Sequence, residues 1–282
     1  MRIDGTEHFV RTAIISDIHG NLMALETVLA DIDQRSVDEI VCLGDILGYG
    51  PNPVECVDLV KERCEFSLLG NHDFAALYEP TNFNDAARKA AYWTRDELDR
   101  ANEQDPESGR LRTEFLNRLR VRWLYNDIYT CVHGTVRRPI NEYLFPEDPV
   151  NNPSKFRDVM NNLRKRGLVG HTHHPGVFSS EDADFSPASE ENGEMEHPES
   201  GDGKIVGIYR LHDDDKAIIN PGSVGQPRDG DPRASYAILD TSSEQHFVEF
   251  IRLEYDIEEV ANRIDQINEL DEWLGRRLFE GK

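Results

Sequence analysis

Cysteine is scarce in this sequence, and the few that occur are badly spaced for a metal site. Of the four cysteines, Cys56 and Cys64 lie eight residues apart, which is too far for a C-x-x-C site. Cys42 and Cys131 fall within apolar runs and are interpreted as small core residues. We therefore expect free thiols, a reducing compartment and no zinc–thiolate cluster.

Long apolar runs are also missing. No segment approaches the about 18 consecutive apolar residues that a membrane helix needs, so no membrane span is expected. Residues 1–5 lack the apolar core of a secretion signal, which predicts a cytoplasmic protein. A length of 282 residues suits one large domain, and because no second unit separates from it we predict a single domain over 1–282.

Positive charge is in short supply: 31 Lys and Arg face 54 Asp and Glu, for a net charge of −23. The chain thus lacks the basic face of a nucleic-acid-binding protein, and we do not expect nucleic acid as a partner. An acidic surface of this size is typical of halophilic proteins, with a docking surface for a basic partner as the alternative. The segment 181–202 has nine acidic residues and no Lys or Arg, which predicts a disordered surface insertion.

Apolar periodicity predicts alternating strands and helices in the first part of the chain. Asn21 can cap the first of the helices. The β-α-β-α-β order favours parallel strands joined by right-handed crossovers. Strands are expected at 9–16, 39–43 and 65–69, and helices at 22–32 and 54–63.

The rest of the chain combines a helical region with close-spaced strands. Residues 84–125 are predicted as a helical excursion that covers one side of a cleft, with helices at 84–98 and 111–125 around a polar hinge at 101–109. Little room for helices remains between the last four strands, which favours antiparallel pairing. Further on, we predict helices at 154–166 and 257–278, and strands at 128–132, 168–169, 205–211, 217–219, 235–240 and 247–254.

Side chains with metal-binding atoms follow the ends of the predicted strands. Since ligands bind at the carboxyl ends of strands in open α/β sheets, we expect these side chains to meet. A lone His at a strand end is usually structural, but a set of seven donors predicts a metal site. The set contains carboxylate, amide and imidazole groups: Asp17, His19, Asp45, Asn71, His133, His171 and His173.

The donor set indicates the kind and number of metal ions. Carboxylate, imidazole and amide oxygen without thiolate suit manganese, iron, zinc or nickel. Seven donors exceed one tetrahedral site and suit two metals, typically about 3.5–4 Å apart, if one carboxylate bridges them. The pairs Asp17/His19 and His171/His173, each with one residue between, are expected to place two donors on the same side of an extended backbone.

Five blocks of this sequence resemble, in order and rough spacing, the signature of the calcineurin-like metallophosphoesterases. Three further segments, 17–21, 48–53 and 220–228, resemble a branch of small prokaryotic phosphodiesterases, some of which cleave diadenosine polyphosphates. The resemblance covers nearly the whole chain and implies an α/β (α+β) fold, with two packed mixed β-sheets in a β-sandwich flanked by helices. The five blocks are Asp17-Ile18-His19, Gly44-Asp45, Gly70-Asn71-His72-Asp73, His133 and Gly170-His171-Thr172-His173.

The resemblance also implies a role for each site residue. His72 would face the substrate phosphate and protonate the leaving oxygen, with Asp73 orienting its ring. The implied cofactors are two divalent ions, manganese first, with iron, zinc, nickel or cobalt as alternatives. The ligands divide into two sets around one bridging carboxylate: Asp17, His19 and His173 for the first metal, Asn71, His133 and His171 for the second, and Asp45 between them.

One departure from the wider pattern bears on the substrate. Many protein phosphatases of this superfamily carry an Arg soon after the bridging Asp, whereas here Asp45 is followed by Ile46-Leu47-Gly48-Tyr49. The missing Arg weakens a protein phosphatase interpretation. Arg228 is a candidate replacement through bidentate phosphate contact, with a surface pair to Asp229 as the alternative. His174 has no place in the motif and is interpreted as a structural residue.

The predicted function is two-metal hydrolysis of small phosphodiester or phosphoanhydride substrates by a metal-bridging hydroxide. The alternatives are a phosphomonoesterase or protein phosphatase, a metal-bearing scaffold without catalysis, and a nuclease subunit acting on DNA ends. The presence of His72 counts against the scaffold, and the acidic surface counts against the nuclease. The expected partner is a small phosphate ester or nucleotide. Both a monomer and a homo-oligomer are compatible with the sequence.

Overall fold

The computed structural model describes residues 10–193, 195–198, 204–212, 216–243 and 245–282. Elements are numbered in chain order. One sheet has six strands in the order β3-β2-β1-β11-β12-β9. The first three strands pair in parallel, as the sequence predicts, and the other three are antiparallel. These strands are β1 Arg11–Ile15, β2 Glu39–Cys42, β3 Phe66–Ser67, β9 Ile205–Arg210, β11 Ala234–Asp240 and β12 Phe247–Leu253.

A second six-stranded sheet has the order β4-β5-β6-β10-β7-β8. It is mixed: β6 lies parallel to both β5 and β10, and the other pairs are antiparallel. The two packed mixed sheets confirm the predicted fold class. The strands are β4 Arg122–Tyr125, β5 Tyr129–Val132, β6 Arg166–Leu168, β7 Gly176–Ser179, β8 Asp184–Pro187 and β10 Ala217–Asn220.

Helices flank the sheets and a short 3₁₀ turn, Arg277–Glu280, comes near the end. Asn21 caps the first helix as predicted, because its side chain accepts a hydrogen bond from the Ala24 amide at 3.2 Å. The helices are α1 Leu22–Ile32, α2 Pro53–Arg63, α3 Asn71–Leu77, α4 Asp85–Gln104, α5 Pro106–Leu116, α6 Asp148–Asn151, α7 Pro153–Asn162, α8 Ile257–Asp265 and α9 Glu272–Arg276.

The core follows the two-residue period of the strands. In β1, Ile14 points into a cluster shared with the second sheet, where it joins Cys131 and Ile219. Ala13 and Ile15 point the other way, into a cluster shared with α1 and α2. A buried central strand therefore needs apolar residues on both faces, and the polar residues that follow it are held in place by this packing.

The helical excursion differs from the prediction at its end. A polar hinge is predicted at 101–109, but only Asp105 separates helices α4 and α5. Asp105 caps α5, because its side chain accepts a hydrogen bond from the Ser108 amide at 3.2 Å. Helix α5 ends at Leu116, so a helix over 111–125 is wrong. Asn126 and Asp127 both have positive φ, and this turn brings β4 back onto β5.

Three other sequence-based expectations also need correction. The helix predicted at 154–166 ends at Asn162, because residues 166–168 are taken up by β6. The helix predicted at 257–278 breaks after Asp265. Within the acidic segment, disorder is wrong for 184–187, which pair as β8 with β7, and Met195 is buried. Residues 9, 194 and 199–203 lie outside the described part of the chain.

Candidate active site

The predicted metal ligands come from the carboxyl ends of strands in both sheets. Those at 17–19, 45 and 71 follow β1, β2 and β3 of the first sheet. Those at 133 and 171–173 follow β5 and β6 of the second sheet. Ligand atoms lie within 4.8 Å of one another in three buried groups: Asp17 with His19 and His173, His19 with Asp45 and His72, and Asp45 with His133 and His171.

In Asp17 and Asp45, one carboxylate oxygen accepts hydrogen bonds from the surrounding protein, and the other oxygen lies near the site histidines. Asp17 Oδ2 accepts from the Ser16 hydroxyl at 2.6 Å and from the His171 amide at 3.0 Å. Asp17 Oδ1 has no hydrogen-bond partner in the described residues, and it lies 3.2 Å from His173 Nε2. Asp45 Oδ1 accepts from a main-chain amide, while Oδ2 lies 3.3 Å from His133 Nε2 and 3.8 Å from His19 Nε2.

Main-chain carbonyls fix the orientation of three of the imidazole rings. The Nδ1 atoms of His19 and His133 donate to the carbonyls of Leu47 at 3.2 Å and Leu43 at 2.9 Å. His173 Nδ1 donates in the same way to the Gln226 carbonyl. Because a carbonyl can only accept, Nδ1 carries a proton in each ring, and Nε2 is the nitrogen that faces the centre and can bind a metal. This is the tautomer that a metal ligand requires.

Asn71 and His171 complete the set of ligands predicted for the second metal. Asn71 Oδ1 lies 3.2 Å from His133 Nε2. His171 Nε2 is buried and has no hydrogen-bond partner in the described residues. The His171 ring stacks on Tyr143, with 3.7 Å between ring centroids and 14° between planes. A buried nitrogen without a partner is costly, and a bound cation would remove this cost.

The charges around the centre favour a cation. Burial raises the pKa of Asp17 and Asp45, but the neighbouring histidines outweigh it, His173 for Asp17 and His133 for Asp45, and hold both pKa values well below the usual range. Burial also lowers the pKa of His133, but the charge of Asp45 outweighs it and raises that pKa to about 9. Burial, followed by the charge of His133, lowers the pKa of His171 to about 3. Ionised carboxylates beside a neutral imidazole are a fitting donor set for divalent metals.

The backbone of the ligand loops is not extended, so that part of the prediction is wrong. Asp17, His19, Asp45, His171 and His173 all have φ between 51° and 68°, in the left-handed region. Residues other than glycine adopt this conformation rarely, and it costs free energy that the surrounding packing must supply. The paired ligands of each loop therefore converge through two left-handed residues rather than through strand alternation.

His72 lies at the edge of the centre, enclosed by aromatic rings. Its ring centroid is 4.3 Å from that of Tyr49, 4.7 Å from that of Phe83 and 4.8 Å from that of His19. A Cβ on Gly48 would come within 2.6 Å of His72 Nδ1, so only glycine leaves room for the ring. Burial lowers the pKa of His72 to about 4, and Nδ1 has no hydrogen-bond partner in the described residues.

Asp73 does not orient the His72 ring, contrary to the prediction. Its carboxylate accepts three main-chain amides instead: Asp45 at 2.9 Å, Leu47 at 3.0 Å and Gly70 at 3.0 Å. Burial and the nearby charge of Asp45 raise the pKa of Asp73 to about 7. Asp73 therefore shapes the loop that carries Asp45, and the His72 ring is positioned by packing.

Arg228 does not pair with the neighbouring carboxylate. Its Nη2 donates to Gln226 Oε1 at 2.9 Å, and the main-chain carbonyl of Gln226 accepts from the site residue His173. Asp229 pairs with Arg252 instead, so the predicted alternative of an Arg228–Asp229 surface pair is wrong. The charge of Arg228 lowers the pKa of the nearby site histidines.

Some residues that shape the site were not singled out as site residues from the sequence. Tyr49 and Gln226 lie within segments that carry the family resemblance, which was a usable signal. Phe83 and Tyr143 come from loops with no motif, so only their position in the fold identifies them. His174 belongs to none of the ligand groups, and its Nδ1 lies 2.8 Å from the Thr172 carbonyl oxygen.

This fold and this site define a hydrolase of phosphoric esters with a centre suited to divalent metals. The family model for calcineurin-like phosphoesterases matches residues 10–196. The chain belongs to that family, as the sequence motifs predicted. Among the described residues no helix is both long enough and apolar enough to cross a membrane.

Known proteins resemble the chain over nearly its whole length. The uncharacterized protein MJ0912 of Methanocaldococcus jannaschii is 40% identical over 277 residues, which cover 96% of this chain and 98% of that protein. A metallophosphoesterase from Sphaerobacter thermophilus is 36% identical, with a TM-score of 0.73 over 98% of this chain and 100% of the other. The hypothetical protein PH1004 of Pyrococcus horikoshii shares the fold at 19% identity, with a TM-score of 0.68 over 97% of this chain and 99% of its own.

Proposed function

We propose that this protein is a two-metal phosphoesterase that hydrolyses small phosphodiester or phosphoanhydride substrates. The observation that carries the proposal is the position of Asp45 between two sets of donors. Its Oδ2 lies 3.8 Å from His19 Nε2 on one side and 3.3 Å from His133 Nε2 on the other. One carboxylate within reach of both sets is what a bridged metal pair requires.

The proposed division of the residues between the two ions is the one that the sequence resemblance implied. Manganese is the first candidate, with iron, zinc, nickel and cobalt as alternatives, because the donors are imidazole, carboxylate and amide groups without thiolate. When bound, the metal pair would supply a water of lowered pKa and positive charge for the phosphate oxygens. The proposed first set is Asp17, His19 and His173, the second is Asn71, His133 and His171, and Asp45 is shared; ligand-group distances support the histidines and carboxylates, and the 3.2 Å between Asn71 Oδ1 and His133 Nε2 supports Asn71.

His72 is proposed to donate the proton to the leaving oxygen. Its main-chain amide donates to Asp45 Oδ1 at 2.8 Å, which fixes the residue relative to the bridging carboxylate. Its Nδ1 is buried without a partner; burial keeps the ring neutral in the free protein, and the negative charge of a bound phosphate would favour the protonated ring, whose Nδ1 proton can pass to the leaving oxygen. A positioned proton donor is typically worth about 10²–10⁴-fold in rate.

Arg228 is proposed to bind the phosphate that is cleaved. Gln226 holds its guanidinium by a hydrogen bond at 2.9 Å, and the main-chain carbonyl of Gln226 also accepts from His173 of the first metal set. A guanidinium held in this way can make two parallel hydrogen bonds to phosphate oxygens. It would serve as the replacement for the arginine that many protein phosphatases carry after the bridging Asp. The absence of that arginine after Asp45 supports a small-molecule ester as the substrate.

A substrate screen on metal-stripped protein tests the proposal. The substrates are bis-p-nitrophenyl phosphate, p-nitrophenyl phosphate and diadenosine tetraphosphate, each with and without added manganese. We expect metal-dependent turnover, with the diester or the anhydride preferred over the monoester. A preference for the monoester would favour a phosphomonoesterase, and stoichiometric metal without any turnover would favour a scaffold.

A further inference from the structure

A pair of exposed aromatic rings lies next to the second set of predicted metal ligands. Tyr143 and Phe145 belong to the segment between β5 and α6, and the two residues are 37% and 42% exposed. Their rings stack with 5.0 Å between centroids and 9° between planes. Tyr143 also stacks on His171, at 3.7 Å and 14°. The three nearly parallel rings therefore form a stack that begins at a candidate metal ligand and ends at the protein surface.

The neighbouring residues hold this pair of rings in place. Leu144, which lies between them in the sequence, is buried in the same apolar cluster as Phe156. The Phe145 amide donates to Asp148 Oδ2 at 2.7 Å, and Lys155 donates to the same buried oxygen at 2.6 Å. The exposed rings are thus fixed before any ligand arrives, which lowers the entropy that binding would cost.

Free space with a polar boundary lies at the outer end of the stack. Lys155 Nζ is 6.0 Å from the Phe145 ring centroid. Lys155 also lines a surface cavity of about 600 Å³, together with polar side chains that include Ser154 and Asn161. A ligand group with apolar faces and hydrogen-bonding edges fits such surroundings, and a nucleobase has both.

The position of the two rings indicates how far the planar group lies from the phosphate. Tyr143 contacts the ring of His171 directly, whereas Phe145 is one ring further out. An aryl ester carries its ring on the phosphate oxygen itself, so its ring stays close to the metal site. In a nucleotide the ribose separates the base from the phosphate. The more distant ring of Phe145 is therefore better suited to a nucleotide than to an aryl ester.

We propose that Tyr143 and Phe145 form a stacking subsite for the base of a nucleotide substrate. This inference rests on the proposed function and narrows its substrate class to esters and anhydrides of nucleotides. The cleaved phosphate lies at the metal site, and the base lies against the Phe145 ring with its polar edge toward the cavity. Every base presents a π-face, so stacking of this kind selects for a base without requiring one particular base.

Calorimetric titration of the manganese-loaded protein tests the subsite. The probes are AMP, ribose 5-phosphate and phenyl phosphate. AMP and ribose 5-phosphate share the phosphate and the sugar and differ in the base, whereas phenyl phosphate carries its ring directly on the phosphate. Free manganese is kept equal in cell and syringe, and chromatography after each titration verifies that the probes are intact.

The test variant is Phe145→Ala, because Tyr143 separates this ring from the ligand His171. The matched control is Tyr78→Ala, since Tyr78 is also exposed and pairs with the Phe74 ring at 4.8 Å between centroids. We expect the unaltered protein to bind AMP about tenfold more tightly than ribose 5-phosphate. Phe145→Ala should weaken AMP binding about tenfold, and it should change the binding of the other two probes by less than about twofold. Tyr78→Ala should leave the binding of every probe unchanged.

Three results would overturn the proposal. The first is equal binding of AMP and ribose 5-phosphate by the unaltered protein. The second is weakened AMP binding in Tyr78→Ala but not in Phe145→Ala, which would place the base at the other ring pair. The third is an equal loss of AMP and phenyl phosphate binding in Phe145→Ala, which would assign the subsite to aryl esters.

Two further substitutions separate stacking from apolar bulk. Phe145→Tyr keeps the aromatic face and should bind AMP within about twofold of the unaltered protein. Phe145→Leu keeps an apolar side chain without a π-face and should lose most of the preference for AMP. AMP binding by Phe145→Leu as tight as that of the unaltered protein would contradict stacking.

The titration does not depend on turnover, so the two proposals fail in different ways. A protein that prefers AMP to ribose 5-phosphate but hydrolyses no ester would contradict the proposed function alone. A protein that hydrolyses esters without this preference would contradict the stacking subsite alone.

Discussion

The Nε2 atoms of His19 and His173 face each other at 3.3 Å, although each ring already donates its Nδ1 proton to a main-chain carbonyl. Two lone pairs in this position repel each other. A proton or a cation between the rings removes the repulsion, and Asp17 Oδ1 lies 3.2 Å from the same His173 nitrogen. The protein is thus folded around a position that favours positive charge.

Metal binding should depend on Asp45. We expect Asp45→Ala to lose both metals, because its Oδ2 is the oxygen that reaches both sets of histidines. Elemental analysis of the purified variant measures this. Since metal binds the folded state, manganese should also raise the unfolding temperature of the stripped protein. The control is Asp33→Asn on the surface, which should keep both metals. Two metals retained in Asp45→Ala would place the bridge elsewhere.

Loss of His72 should affect turnover but not metal content. His72→Ala is expected to lower kcat by about 10²–10⁴-fold on esters with poor leaving groups, and by less on p-nitrophenyl esters, whose leaving group needs little protonation. Steady-state kinetics on an alkyl and an aryl diester measures the difference. His174→Gln, which alters a histidine outside the ligand groups, serves as the control. A normal rate of His72→Ala on the alkyl diester would exclude the assignment.

Gly70 should tolerate no side chain. A Cβ at this position would lie 2.0 Å from Asp45 Oδ1 and 2.3 Å from the Asp45 main-chain nitrogen, so the loop that carries Asp45 would have to move. Gly70→Ala is therefore expected to reduce metal content and to destabilise the protein by about 1–3 kcal/mol. Gly193→Ala is a matched control, since nothing lies within 4 Å of its added methyl group. Denaturant unfolding and elemental analysis of both variants measure the effects, and equal behaviour would contradict the prediction.

Salt should raise the activity. An anionic phosphate substrate is repelled by a chain with a net charge of −23, and at 1 M salt the screening length falls to about 3 Å. We expect kcat/KM on bis-p-nitrophenyl phosphate to increase with ionic strength, and sodium and potassium chloride to act alike because screening does not depend on the cation. Strong inhibition by molar salt would argue against adaptation to high salt.

The sequence by itself determined the family, the order of the first strands and the candidate metal ligands that the fold brings together. This was possible because each ligand follows a strand whose apolar residues are recognisable locally, as Asp17 follows β1 and His133 follows β5. Positions of this kind depend on short-range patterns, which can be identified without coordinates.

Only the tertiary structure decided which partners the polar side chains next to the metal ligands bind. Asp73 looked like a partner for the adjacent His72, yet its oxygens accept main-chain amides from a loop 26–28 residues away. Hydrogen-bond partners and charge neighbours are set by long-range packing, and a linear sequence does not record which distant segments meet.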